Sequence, residues 1–87
     1  FKKKGDLMFN IVIFYSNNTL NVSVEGIINK NNINQIKKRL YYIISEYGIN
    51  DIVIDIKNTI NVDKEALSEF LDDYDINYGG NLVIVDK

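Results

Sequence analysis

The sequence predicts a single α/β domain with the element order β-β-α-β-α-β and a four-stranded mixed sheet. Three observations support this fold class: alternating apolar residues near the N-terminus, two amphipathic helical stretches, and two short apolar runs rich in β-branched residues. A short polar turn makes the first two strands an antiparallel hairpin, whereas strands joined through a helix pair in parallel. Both helices then lie on one face of the sheet, and the other face is partly open.

The N-terminal part of the chain contains the predicted hairpin. Residues 8–15 form the first strand and residues 19–25 the second, separated by the turn residues 16–18. Gly26 interrupts the alternation, so we expect the second strand to end there. One face of the first strand carries Ile11 and Ile13 and the other carries Val12 and Phe14, and either pair is a candidate for the open face of the sheet.

Two helices follow from apolar residues at helical spacing. The first begins at Ile33 after the candidate caps Asn31 and Asn32 and ends at Gly48, and the second begins after the cap Asp63. The predicted inner faces are Ile36, Leu40, Ile43, Ile44 and Tyr47 in the first helix and Ala66, Leu67, Phe70, Leu71 and Tyr74 in the second. The apolar runs at 51–56 and 82–85 are predicted as buried strands, with the last one at an edge of the sheet.

The composition argues against several functional classes. The chain has no Cys and no His, which removes disulfides, thiol nucleophiles, the usual zinc sites and the commonest general base. The net charge is −2, and the basic run at 37–39 points around a helix rather than along one side, so we expect no nucleic-acid partner. No apolar run approaches the roughly 18 residues of a membrane span. A small domain without disulfides fits the cytoplasm.

Residues 1–7 are expected to be a non-native or disordered leader, and residues 8–87 a single domain. The stretch Lys-Lys-Lys-Gly-Asp-Leu-Met at 2–8 fits translation of a ribosome-binding sequence placed just before a start codon. On this interpretation Met8 is the native first residue.

Two carboxylates, Asp55 and Asp63, are the candidates for a chemical site, because paired carboxylates serve acid–base catalysis or bind a hard cation. We favour a structural interpretation, in which Asp63 accepts N–H groups at the helix start and Asp55 fixes the loop. No nucleophile, phosphate-binding glycine loop or third ligand lies near them in the sequence. Gly79 and Gly80 precede a strand, whereas a phosphate cradle opens a helix. The sequence therefore predicts no enzyme, no metal and no cofactor.

The order of motifs around these carboxylates is similar to a known family. Gly26 closes the second strand, a helix follows, Val53-Ile54-Asp55-Ile56-Lys57-Asn58 ends the third strand, and Asp63 begins the next helix. This resembles the STAS domain, the module of bacterial anti-anti-sigma factors, whose members carry Leu-Asp-Leu-Ser at a strand end and Asp-Ser-Ser/Thr-Gly-Leu at the helix start. The spacing from Asp55 to Asp63 matches, as does Leu67, and the resemblance covers roughly residues 9–85. It implies a protein partner that docks at the end of the sheet, on Gly26, Asp55, Asn58, Asp63, Lys64, Glu65 and Ser68.

The sequence departs from the STAS pattern at the phosphorylation site. In switching members, the second hydroxyl residue of the helix motif is phosphorylated by the anti-sigma kinase. Aligned from Asp63, the two hydroxyl positions hold Lys64 and Glu65, and the nearest hydroxyl, Ser68, lies a turn deeper. Glu65 is either a partial substitute for phosphate or simply a good first-turn residue, since the helix dipole favours anions there. Family domains also usually continue past the fourth strand, so the chain resembles a member truncated at the C-terminus, either a minimal member or a fragment.

The resemblance leaves two functions open. The first is a protein-interaction module similar to an anti-sigma factor antagonist, with an anti-sigma factor or kinase-like partner, and without the usual phosphorylatable serine because Glu65 replaces it. The alternative is a STAS-like accessory subunit of a membrane transport complex, with a transporter ATPase as its partner. A homodimer through the first strand or the terminal edge strand is compatible with both.

Overall fold

The computed structural model describes residues 9–86 and contains the predicted elements in the predicted order. The strands are β1 (Phe9–Ser16), β2 (Thr19–Ile28), β3 (Asp51–Val62) and β4 (Asn81–Val85), and the helices are α1 (Ile33–Tyr47) and α2 (Lys64–Asn77). The predicted leader at 1–7, the start at Met8 and the final Lys87 lie outside the described residues.

The four strands form one mixed sheet in the order β1-β2-β3-β4. β1 and β2 pair antiparallel, while β2 with β3 and β3 with β4 pair in parallel, so the predicted fold class is confirmed. Asn17 and Asn18 close the hairpin with φ angles of 56° and 60°. A two-residue type I′ turn requires positive φ at both positions, and asparagine tolerates that conformation better than most residues. This turn fixes the register in which Ser16 lies opposite Thr19.

The β2–β3 pair is longer than the sequence predicts. β3 runs to Val62 rather than to residue 56, and β2 continues past Gly26. The strands stay paired because β3 carries one extra residue at each of two irregularities, one before Asn58 and one after Thr59. Such β-bulges absorb an extra residue while the ladder continues on either side. The predicted loop after residue 56 is therefore strand, and the prediction that Gly26 ends the second strand is wrong.

The hydrophobic core lies between the helices and one face of the sheet. Side chains of β2 and β3 that point to this face pack against the inner faces of both α1 and α2. On β1, Ile11 and Ile13 contact the core, which leaves Val12 and Phe14 on the open face. The buried apolar residues include Leu20, Val22, Val24, Ile28, Ile33, Ile36, Leu40, Ile44, Ile49, Ile52, Ile54, Ile56, Ala66, Phe70 and Tyr74.

Some predicted core positions are more exposed than expected. Tyr47 is 70% exposed, and its side chain lines a groove with Tyr15 rather than joining the core. Val83 is 54% exposed, since β4 is an edge strand of the described sheet, as predicted, and only one of its faces meets the core. Leu67 and Leu71 pack against the core but are only partly buried.

A polar and aromatic seam joins the two helices. The Tyr41 hydroxyl donates a hydrogen bond to Oδ2 of Asp73 at 2.8 Å, and Nζ of Lys37 lies 3.4 Å from the same oxygen. Burial, and then the hydrogen bond to the carboxylate, raise the pKa of Tyr41. The Tyr41 hydrogen bond, assisted by Lys37, lowers the pKa of Asp73 against the opposing effect of partial burial. The ring of Tyr41 also meets Tyr78 edge-on, with centroids 4.8 Å apart.

Candidate functional site

With one exception, the predicted site residues lie toward the carboxyl ends of β2 and β3 or in the first turns of α2. Gly26 and Asn58 lie in adjacent steps of the β2–β3 ladder at this end. At the end of β3, the N–H of Asp63 donates to the carbonyl of Ile28, the last residue of β2, at 2.8 Å. The helix α2 begins at the next residue, Lys64. Parallel strands end at the same edge of a sheet, so the segments that lead into α1 and α2 lie together here. We call the surface formed by Gly26, Asn58, Asp63, Lys64, Glu65 and Ser68 the β3–α2 junction.

Asp63 is the N-cap of α2. Its backbone is extended, with φ −76° and ψ 104°, and its Oδ1 accepts the N–H groups of Glu65 at 3.0 Å and Ala66 at 3.1 Å. A capping carboxylate satisfies backbone donors that the helix itself leaves without acceptors. The structural interpretation of Asp63 is therefore supported by its geometry, and this side chain fixes the direction in which α2 leaves the sheet.

The first turn of α2 presents its other side chains to solvent. Lys64, Glu65 and Ser68 are all exposed. Oε1 of Glu65 lies 3.4 Å from Nζ of Lys30, with both side chains more than half exposed. The hydrogen bond and the charge of Glu65 raise the pKa of Lys30, with smaller contributions from Glu69 and Asp63. An exposed ion pair of this kind stabilises the fold little, so its consequence is local: it holds the positive charge of Lys30 beside the junction.

Lys30 was not predicted from the sequence as part of the site. It belongs to the segment between β2 and α1, where the Asn29 side chain accepts the N–H groups of Asn31 and Asn32, both at 2.9 Å. Asn32 holds the N-cap position of α1, but its side chain makes no capping bond; it accepts the Asn29 N–H at 2.8 Å and donates to the carbonyl of Ile27. The predicted parallel pairing of β2 and β3 could have indicated Lys30, because it implies that the segments after these two strands lie close together.

Asp55 is the exception among the predicted site residues. It pairs in the ladder with Ser23 and Val85, and its side chain points to the open face because its neighbours in β3 point to the core. Its Oδ1 accepts the Lys57 N–H at 2.9 Å, beside the first β-bulge. A backbone donor displaced by a bulge needs another acceptor, so Asp55 stabilises the irregular strand. The structure does not bring Asp55 and Asp63 together as a carboxylate pair.

The described part of the chain contains neither a cluster of metal ligands nor a helix that could span a membrane. Between residues 9 and 86, no three acidic side chains are close enough together to hold a metal ion. Neither α1 nor α2 has the length and apolar character that a membrane crossing needs.

Comparison with known proteins gives the fold. The chain is similar to the crystal structure of an anti-sigma-factor antagonist, a STAS domain from Rhodobacter sphaeroides, with a TM-score of 0.68. The sequences are 16% identical, and the match covers 92% of this chain and 88% of that chain. No family model matches the sequence, and no curated protein matches it significantly. The predicted resemblance is thus confirmed in three dimensions, and the fold of this chain is that of a STAS domain.

Proposed function

We propose that the protein is an interaction module that binds another protein through the β3–α2 junction. The observation that carries the proposal is the arrangement of this surface: Asp63 fixes the start of α2, while Lys64, Glu65 and Ser68 are presented outward beside the end of the sheet. A rigid element with exposed polar side chains suits specific recognition better than a mobile loop. The proposed role is binding without catalysis.

The proposed partner is an anti-sigma factor, including the kinase-like kind. The similar Rhodobacter sphaeroides structure is described as an anti-sigma-factor antagonist, and the motif order around Asp55 and Asp63 resembles the same group. Lys64 and Glu65 in the first turn of α2, with Lys30 paired to Glu65 from the β2–α1 segment, offer a partner both signs of charge. Such mixed charge favours selection among partners more than raw affinity.

Binding is tested by calorimetric titration against an anti-sigma factor encoded in the same genome. Ser68→Arg introduces a long side chain on the exposed face of α2 and should weaken binding by roughly tenfold or more, as for a central interface position. Asp75→Arg is the matched control, because Asp75 is exposed on the same helix about two turns further on. Equal loss in both variants, or no loss in either, would contradict docking at the junction.

We further propose that this site is not switched by phosphorylation. The aligned acceptor position holds Glu65, whose carboxylate is already paired with Lys30. A carboxylate has less charge and fewer acceptor oxygens than a phosphoryl group, so it imitates only part of the modified state. Incubation with a kinase-like anti-sigma factor and ATP should leave the native protein unmodified, whereas Glu65→Ser should be phosphorylated at residue 65. Phosphate on Ser68 of the native protein would refute this proposal.

Glu65 at the acceptor position also favours a second candidate function. An accessory subunit of a membrane transport complex needs a docking surface but no phosphorylation switch, which agrees with Glu65 at the acceptor position. Purification of the tagged protein from its native cells discriminates the two functions. A transporter ATPase recovered with the protein supports the accessory role, and an anti-sigma factor supports the first proposal.

A further inference from the structure

The β1 strand forms one edge of the described sheet and has none of the features that usually protect an edge. Its sequence, FNIVIFYS, contains no charged residue and no proline, and its pairing with β2 shows no register shift. Charges, prolines and bulges are the devices by which native edge strands avoid pairing with other strands. Both faces of β1 are apolar at this edge, with Ile11 and Ile13 on the helix face and Val12 and Phe14 on the open face.

The surface beside β1 is also apolar. Val12 is 48% exposed and Phe14 55% exposed on the open face. On the helix face, a groove of about 570 Å³ lies between the end of the hairpin and α1. Its lining is Tyr15, Leu20, Tyr42, Ile43, Tyr47 and Ile49. Within residues 9–86, this edge therefore has no strand paired beyond β1, and apolar side chains flank it on both faces.

We propose that a second copy of this chain covers this edge, with β1 pairing antiparallel to β1 of the partner across a two-fold axis normal to the sheet. An uncharged strand can pair with itself without placing like charges opposite one another, which would be destabilising. The two four-stranded sheets then become one continuous eight-stranded sheet with all helices on the same face. This inference goes beyond the proposed function and does not depend on it.

The two-fold axis restricts the register. An axis normal to the sheet keeps the helix face of each copy on the same side, so odd-numbered residues of β1 must pair with odd-numbered ones. Within Phe9–Ser16, the registers centred on Val12 and on Ile13 pair most of the strand. The first places Phe9 of one copy opposite Tyr15 of the other, and the second places Ile11 there. Either way, an apolar side chain of one copy lies opposite Tyr15 of the other, a residue that lines the groove.

The exposed aromatic surface beside β1 supplies about half of the area that a small interface needs. Phe14, Tyr15 and Tyr47 are 55%, 58% and 70% exposed, and with roughly 200 Å² for each aromatic side chain they hold about 350 Å² of accessible surface per copy. Val12, the half-buried Ile11 and Ile13 and the strand backbone add to this area. Specific interfaces bury about 600–800 Å² per partner at the lower end of the stable range. We therefore expect a dimer that dissociates on dilution.

The other described edge is less suited to this pairing. β4 is five residues long, against eight in β1, and its large exposed side chain is Val83 alone. A contact between β1 of one copy and β4 of the next would not close on itself, and would produce a growing chain of molecules rather than a dimer.

Sedimentation equilibrium on the full chain over a series of concentrations tests the proposal. The native protein should approach twice its monomer mass of 10.1 kDa, and the double variant Val12→Lys, Phe14→Lys should remain monomeric. The matched control Ile76→Lys changes an 83% exposed apolar residue on α2 and should still dimerise. Circular dichroism verifies that each variant is folded. A monomeric native protein, a series of larger species, or a dimer that survives the double variant would overturn the proposal.

Single cysteines test the register, because the chain has no native Cys. Residues directly opposite in an antiparallel pair have Cβ atoms about 4.5–5.5 Å apart, close to the distance at which a disulfide forms. Under mild oxidation, either Val12→Cys or Ile13→Cys should give a covalent dimer, while Ile76→Cys should not. Crosslinking of the Ile76 control alone, or of none of the three, would contradict two-fold pairing through β1.

Discussion

Replacement of Asp63 by alanine isolates the interaction that fixes the β3–α2 junction. The substitution removes one oxygen that accepts two N–H groups, those of Glu65 and Ala66 at 3.0 and 3.1 Å. Water can reach the Glu65 N–H, since that residue is exposed, but Ala66 is only 2% exposed. The Ala66 donor therefore loses its acceptor without full replacement by solvent.

The expected loss of stability follows from the difference in burial between these two N–H groups. Removal of an N-cap side chain typically costs about 1 kcal/mol and up to about 2 kcal/mol. Because one of the two donors is buried, we expect Asp63→Ala to lower the free energy of unfolding by about 1–2 kcal/mol. For a domain of this size, each 1 kcal/mol lowers the melting temperature by about 4–8 °C.

Urea unfolding followed by circular dichroism measures this loss, with Asp63→Asn as the matched control. Asparagine keeps an acceptor oxygen and is an equally good N-cap, so it should lose only the interaction of the charge with the helix dipole, about 0.5 kcal/mol. Asp63→Ala with native stability would refute the capping argument. Equal losses in the two variants would show that charge, rather than hydrogen bonding, holds the start of α2.

Two further predictions concern the opposite end of the molecule and the seam between the helices. Gly80→Ala should destabilise the protein by about 1–3 kcal/mol, because its Cβ would lie 2.5 Å from the Tyr74 hydroxyl oxygen. Gly48→Ala meets no atom within 4 Å and should cost only the left-handed backbone conformation, about 1 kcal/mol; urea unfolding that ranks the two variants the other way would contradict this. The pKa of Asp73 is lowered in the folded protein, so the unfolded state binds the proton more readily. Ionised Asp73 therefore stabilises the folded state at pH values above the unfolded carboxyl pKa. This contribution to the free energy of unfolding is lost as the pH falls through the lower pKa of the folded state. Tyr41→Phe removes the main cause of that shift, so its urea midpoint should fall less steeply with acidification than that of the native protein, and parallel pH profiles would rule this out.

Much of the fold follows from short-range patterns in the sequence. Alternation in the hairpin, helical spacing of apolar residues and the cap at Asp63 depend on interactions between residues close along the chain, and each predicted its element. The parallel crossovers follow equally from the alternation of strands and helices. The glycine after α1 also behaves as expected, since Gly48 adopts φ 63° and its N–H donates to the carbonyl of Ile44.

Where the structure differs from the sequence-based prediction, the difference depends on what lies opposite each residue in the folded chain. Tyr47 fits the helical stripe, but in the folded chain its side chain lines a solvent-accessible groove beside Tyr15 and is 70% exposed. Asp55 has the spacing of a site carboxylate, but the bulge beside it and the alternation of β3 turn it to the open face.

The element order, the fold class and the cap at Asp63 can be derived from the amino-acid sequence, because they depend on local spacing and backbone chemistry. The length of β3 and the pairing of Lys30 with Glu65 became apparent in the folded chain alone. Strand length is set by how far a neighbouring strand continues, and here β2 continues to Ile28. An ion pair between residues 35 positions apart in the sequence exists only because two parallel strands end at the same edge of the sheet.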